Sequence, residues 1–244
     1  MAMTPEQRNL IRILVRCIEQ VGEEFRHQGA DERFWQEADY VSRLFGLLWA
    51  DGYMYENCPA PGRASDFKVP LVHREIPTRT KTDKEDEMKY DLALFDGKNA
   101  YDVATKDIPI GEGWSGQLAE NREILVAVEV KPCWWAIDST KREEIKGDIM
   151  KLRDNVANGQ IKRGYLLVFC AAREHAAAGG TRPEYPWNRQ GRKRGMSGNV
   201  AWLQTTLAGL CGSECENVYI YYVSNHSCDA EQHWIPKHPL EVPL

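Results

Sequence analysis

Several things are scarce in this chain, and each scarcity narrows what it can be. No apolar run comes near the roughly 20 residues that a membrane-spanning helix needs, and the first residues lack the pattern of a secretory leader. The expectation is therefore a cytoplasmic protein with no membrane partner. Positive charge is not in excess, since the net charge is −5. A global basic field that would gather nucleic acid is excluded, and any such binding must rest on a local patch or on cations bridging carboxylates to phosphates. The 7 cysteines are irregularly spaced along 244 residues, which does not fit a disulfide framework and points to reduced thiols. There is no Gly-rich phosphate loop and no Gly-x-Ser-x-Gly elbow, so nucleotide hydrolysis and serine hydrolysis lack support. Internal repeats are absent too.

What is present reads as one α/β domain over residues 1–244, long enough to bury an ample core. Thr4-Pro5-Glu6 reads as a helix start, followed by Leu10, Ile11, Leu14, Ile18, Val21 and Phe25 at helical spacing. After Gly29, Asp31 is placed to cap a second helix running to about Ala50, with Phe34, Val41, Leu44 and Leu48 on its apolar stripe. A Pro- and Gly-containing loop leads to a strand over Val69 to Ile76, a charged loop from Thr78 to Lys89, and a second strand from Tyr90 to Phe95. Residues 100 to 122 read as an insertion. A helix capped by Ser139 runs to about Val156 and leads to a strand over Gly164 to Cys170, which makes a parallel crossover. A basic loop, a helix over Val200 to Leu210 and a strand over Val218 to Val223 complete the chain, whose tail has no clear periodicity.

The informative stretch is Ile124-Leu125-Val126-Ala127-Val128-Glu129-Val130-Lys131. Six apolar residues, rich in Val and Ile, predict a central strand buried on both faces, which Pro132 is expected to end. Glu129 and Lys131 lie two apart and so share one face. Burying such charges costs several kcal/mol or more, by order of magnitude, unless a metal, a partner charge or a phosphate compensates. Asp91 on the preceding strand and Glu75 just upstream can reach the same sheet edge.

This constellation, Asp-x(n)-Glu-x-Lys on consecutive strands ahead of a crossover helix, resembles the PD-(D/E)xK nuclease superfamily. The resemblance covers about residues 31 to 170 and implies a restriction-endonuclease-like fold, a mixed sheet in an αβββαβ core flanked by helices, with 171–244 a C-terminal extension. It implies that Asp91 and Glu129 hold Mg²⁺, with Mn²⁺ as a substitute, and that Lys131 handles the attacking water. It also implies that a glutamate of the preceding helix joins them, for which Glu37 is the best-placed match. The helix after the motif carries a polar residue facing the site in that family, here Lys146 or Lys151. Mg²⁺ takes hard oxygen ligands, and the Val130 carbonyl would add a third to the two carboxylates. The activity implied is DNA phosphodiester hydrolysis, in cutting foreign DNA or processing DNA structures. A catalytically inactive nucleic-acid-binding or scaffolding protein of the same fold is the alternative. Cutting both strands calls for two sites, so a homodimer is a further expectation.

Other residues carry weaker expectations. Arg189, Arg192, Lys193 and Arg194 form a basic cluster that could track phosphates or be a solvated loop. Trp134 and Trp135 could stack on an unpaired base, with burial the stronger reading. Asp96, Asp102 or Asp107 would replace Asp91 as the metal acid if the strand register were different. Cys211, Cys215, His226, Cys228, His233 and His238 are zinc-type ligands, but their spacing fits no common finger and no structural zinc is expected.

Overall fold

The computed structural model describes residues 3–28, 36–58, 67–77, 89–96, 124–134, 137–171, 189–211, 216–224 and 232–238. Four helices and eight strands are described: α1 (Pro5–Gln28), α2 (Glu37–Ala50), β1 (Tyr55–Cys58), β2 (Phe67–Pro70), β3 (Val72–Pro77), β4 (Lys89–Phe95), β5 (Ile124–Trp134), α3 (Ser139–Ala157), β6 (Ile161–Ala171), α4 (Arg189–Cys211), β7 (Val218–Ser224) and β8 (Gln232–Ile235). Strands β3 to β8 form one mixed sheet in chain order, while β1 and β2 pair in a separate two-stranded sheet. Neighbours β3, β4 and β5 run antiparallel, β5, β6 and β7 run parallel, and β8 returns antiparallel to β7. The α/β class and the antiparallel start followed by a parallel crossover agree with the sequence reading.

Two cores sandwich the sheet. On one face Ile11, Leu14, Ile18 and Phe25 of α1 and Val41, Leu44 and Leu48 of α2 pack on Val126, Val128, Tyr165 and Phe169. On the other, Ile145, Ile149 and Leu152 of α3 and Leu203 and Leu207 of α4 pack on Ala127, Leu166, Val168 and Ile220. Strand β5 lies between, with Leu125, Val126, Ala127 and Val128 all at 0% exposure, which accounts for its unbroken apolar run. Gly164 lets α3 sit close: a Cβ there would lie 2.8 Å from the Leu152 Cβ, so a side chain would push the helix off the sheet.

The helix starts follow capping chemistry. Thr4 and Gln7 cap α1 reciprocally: the Gln7 N–H donates to Thr4 Oγ1 at 3.2 Å, and the Thr4 N–H donates to Gln7 Oε1 at 3.0 Å. The second helix starts later than expected, at Glu37, with Gln36 and Asp39 forming the capping box; Asp31 and Phe34 lie outside the described residues. For α3 the cap is Asp138 rather than Ser139, its carboxylate accepting from the Lys141 N–H at 2.9 Å.

Other expectations are corrected by the ladder. The strand over Val69 to Ile76 is two strands in two sheets, broken at Leu71, whose N–H donates to the Met54 carbonyl while its own carbonyl accepts from the Phe95 N–H. Pro132 does not end β5, which continues to Trp134 in register with β6. By alternation from Val130, the nitrogen of residue 132 faces the side where pairing with β4 has already stopped, so its missing N–H breaks nothing. Arg189, Arg192, Lys193 and Arg194 are not in a loop but in the first turns of α4, which starts 11 residues before Val200. The tail holds β8, too short at four residues to show alternation. Among the described residues no helix is long and apolar enough to cross a membrane.

Candidate active site

The site lies where β4 and β5 part. Their backbone pairing runs from Phe95 opposite Ile124 to Leu92 opposite Val128 and stops there. One step further, the Asp91 side chain takes the place of a strand: its Oδ2 accepts the Val130 N–H at 2.7 Å. Within a strand the N–H and C=O of one residue face the same neighbour, so the Val130 carbonyl also opens toward this gap. Asp91, Glu129 and Lys131 thus meet at one place, with Asp91 half-buried and Glu129 only 2% exposed.

Lysines hold the acids together. Lys131 Nζ lies 3.2 Å from Glu37 Oε2 at the first residue of α2 and 3.3 Å from Asp148 Oδ2 on α3. Lys151 Nζ lies 2.6 Å from Glu129 Oε1 and 3.8 Å from Asp148 Oδ1, donates to the Lys89 carbonyl at 2.9 Å, and stands 5.7 Å from the centre of the Tyr90 ring. The result is an alternating chain from Glu37 through Lys131, Asp148 and Lys151 to Glu129. With Asp91 beside it, four carboxylates face two ammonium groups.

The excess of negative charge shows in the acids. Burial, reinforced by the nearby Glu37, lifts the Asp91 carboxyl to about 6, although the Val130 N–H, Lys131 and Lys151 pull the other way. Burial also raises Glu129 well above the usual carboxylate range, with Asp148 and Asp91 adding to it against the opposing pull of Lys151. Burial works against the Lys131 ammonium, but Asp148, Glu37, Asp91 and Glu129 outweigh it and raise the group. At a site this buried the pattern favours uptake of positive charge, whether protons or a cation.

The donor set fits a hard divalent ion in kind: two carboxylates and a carbonyl beside surplus negative charge. It is not a ready cage, because among the described residues no three His, Cys, Asp or Glu side chains converge as a metal group. The Lys151 ammonium stands against Glu129 instead.

The remaining expected residues fall in three groups. Lys151 reaches the site, whereas Lys146 stays half-exposed and pairs with Glu143 at 2.7 Å. Glu75 lies between Arg74 and Ile76, which pair with Leu92 and Tyr90, but it is itself skipped in the register, is exposed, takes a positive φ of 53°, and stands outside the ion-pair chain. Asp96 belongs elsewhere: it is buried at the other end of β4 and accepts from Gln7 Nε2 of α1 at 2.5 Å. Asp102, Asp107, Trp135, Cys215, His226 and Cys228 lie outside the described residues, and of the side chains of Trp134 and the basic cluster nothing is described. Cys211 is disulfide-bonded, against the expectation of reduced thiols. His238 is buried and bonded to the Tyr165 hydroxyl at 2.7 Å.

Sequence reasoning missed Asp148. It sits between the core positions Ile145 and Leu152, one turn from each, so an acid near the inward stripe of the crossover helix was the available signal. Compared with family models, with curated proteins and with solved structures, the chain finds no match.

Proposed function

We propose that this protein is a metal-dependent endonuclease of the PD-(D/E)xK type, with a restriction-endonuclease-like core formed by α2, β3, β4, β5, α3 and β6. Its substrate is DNA, whose phosphodiester bonds it hydrolyses in restriction, defence or DNA processing. The observation that carries this reading is the parting of β4 from β5 at Asp91 and Val130, which gathers two carboxylates, a carbonyl and Lys131 at one place. Asp91, Glu129 and the Val130 carbonyl would hold Mg²⁺, or Mn²⁺ in its place. When bound there, a divalent ion supplies positive charge for the developing phosphorane and makes a water more acidic. Lys131 orients the water and adds charge as the attack proceeds. Glu37 tethers the Lys131 ammonium from the solvent side, and Lys151 neutralises Glu129. A cut through both strands would engage two copies of the chain.

A second reading is an inactive nucleic-acid-binding or scaffolding protein with the same fold. The close Lys151–Glu129 pair favours it, since an ammonium already stands against the acid that a metal would use. A nicking assay on supercoiled plasmid with Mg²⁺ separates the two. The nuclease reading expects cleavage by the parent and its loss in Lys131→Ala, with plasmid binding retained. Equal cleavage by both proteins removes Lys131 from the chemistry, and binding without cleavage by either supports the second reading.

A further inference from the structure

The Lys131 ammonium has two carboxylates at nearly the same distance, 3.2 Å to Glu37, which accepts a hydrogen bond from it, and 3.3 Å to Asp148, which meets it as an ion pair without one, and they differ in kind. The Glu37 side chain is 41% exposed and begins a helix, whereas Asp148 is 14% exposed and sits mid-helix. The segment bearing Asp148 is seated by Ile145, Ile149 and Leu152, and Leu152 lies against the Gly164 backbone. An ion pair in water is screened and weak, while one withdrawn from water is held more firmly once formed. A phosphodiester arriving from solvent therefore meets the Glu37 side first, and its negative charge competes with that carboxylate for the lysine.

We infer that Asp148 is a positioning residue: it holds the Lys131 ammonium from the protected side, so that Lys131 stays aimed at the scissile phosphate after Glu37 releases it. Asp148 also lies 3.8 Å from Lys151. One carboxylate therefore spaces two ammonium groups that would otherwise repel each other, and keeps Lys151 available to Glu129. The inference rests on the nuclease reading for its consequence, but not for its geometry.

Two measurements test it. In plasmid cleavage with Mg²⁺, Asp148→Asn should lower kcat roughly 10–100-fold, as loss of a supporting partner does. KM for DNA should change by less than about threefold, because the altered group touches another side chain rather than the substrate. Asp148→Glu should restore part of the rate. Independently of activity, the ¹⁵N-coupled ammonium signal of Lys131 should persist in the parent and in Glu37→Gln but disappear through fast exchange in Asp148→Asn. A parent-like rate and a parent-like signal in Asp148→Asn overturn the inference. So does loss of the signal in Glu37→Gln, and that arm decides the matter if Asp148→Asn does not fold. A parent without Mg²⁺-dependent cleavage defeats the nuclease reading, while the ammonium signal still decides whether Asp148 holds Lys131.

Discussion

Two buried polar clusters lie on opposite faces of the same sheet, and they handle burial in opposite ways. Around Glu129 acids and lysines alternate, and the acids outnumber the lysines. Around His238 aromatic rings and a hydroxyl surround the one imidazole, with a single cation, Arg163, nearby. The His238 ring is bonded to the Tyr165 hydroxyl and ringed by Tyr219 and Trp234 at 4.7 and 4.9 Å, while the Arg163 guanidinium rests 5.5 Å from the Tyr219 ring centre. Burial and then Arg163 depress His238 to about 4, so it is neutral at pH 7. Arg163 stands opposite Val126 and Glu129 opposite Leu166, only a few positions along the β5–β6 ladder. A cluster whose histidine stays neutral serves the fold; one that gathers surplus acids favours uptake of positive charge.

The sharpest way to break this contrast is to remove charge at Glu129. Glu129→Gln should reduce Mg²⁺-dependent cleavage on the order of 10³-fold, because a metal acid acts on the transition state itself. It should also abolish any rise in melting temperature on adding Mg²⁺. A variant that keeps both would remove Glu129 from any metal site.

Next in size is the partner of that acid. Lys151→Met leaves Glu129 buried without its nearest cation, a loss of about 3–5 kcal/mol for a broken buried pair. Since the Glu129 carboxyl is already raised, protonation relieves the defect at low pH. Chemical denaturation should therefore find the destabilisation large at pH 8 and smaller near pH 5. A pH-independent loss would mean that Lys151 matters only through packing.

The two clusters should also respond to pH with opposite signs. Asp91 has a folded-state value of about 6, above its ordinary 3.8. Its contribution is full below about 4 and is lost as pH rises through 6, at most about 2–3 kcal/mol. His238 is lowered, so its contribution is present above about 6.5 and is lost as pH falls through about 4. Asp91→Asn should thus make the metal-free protein more stable at pH 8 while ending cleavage. Tyr165→Phe should cost about 0.5–1.5 kcal/mol, the usual net worth of one hydrogen bond, and leave cleavage untouched. Urea melts at pH 5, 6.5 and 8 check both; stabilities moving in the same direction across that range would erase the distinction.

Much of this architecture was legible because it follows from periodicity. The buried strand β5, the acid on β4 and the crossover helix each leave a local pattern, and their order in the chain brings Asp91, Glu129 and Lys131 together. What escaped was set by neighbours far away in sequence. Pro132 reads as a strand end until one knows which side of β5 has lost its partner. Asp148 and Lys146 are both polar residues of α3, two positions apart, and only the rotation of the helix, fixed by Leu152 against Gly164, turns one inward and leaves the other out. The start of α4 was hidden because basic residues without an apolar stripe carry no helical signature.

Lys146 gives the smallest expected effect and the finest discrimination. It is five residues from Lys151 on the same helix, yet its ammonium pairs with Glu143 Oε1 at 2.7 Å in a half-exposed i,i+3 pair. Such a pair is worth less than about 0.5 kcal/mol, because water and salt screen it. Lys146→Ala should therefore leave stability, cleavage rate and the salt dependence of plasmid binding at parent values. Each phosphate contact contributes about 0.9 to the slope of log affinity against log salt, so a drop of roughly that size would put Lys146 on the DNA. The charge that matters would then extend along the helix beyond Lys151 and Asp148, and the boundary between site and solvated surface would have to be moved outward by a full turn of α3.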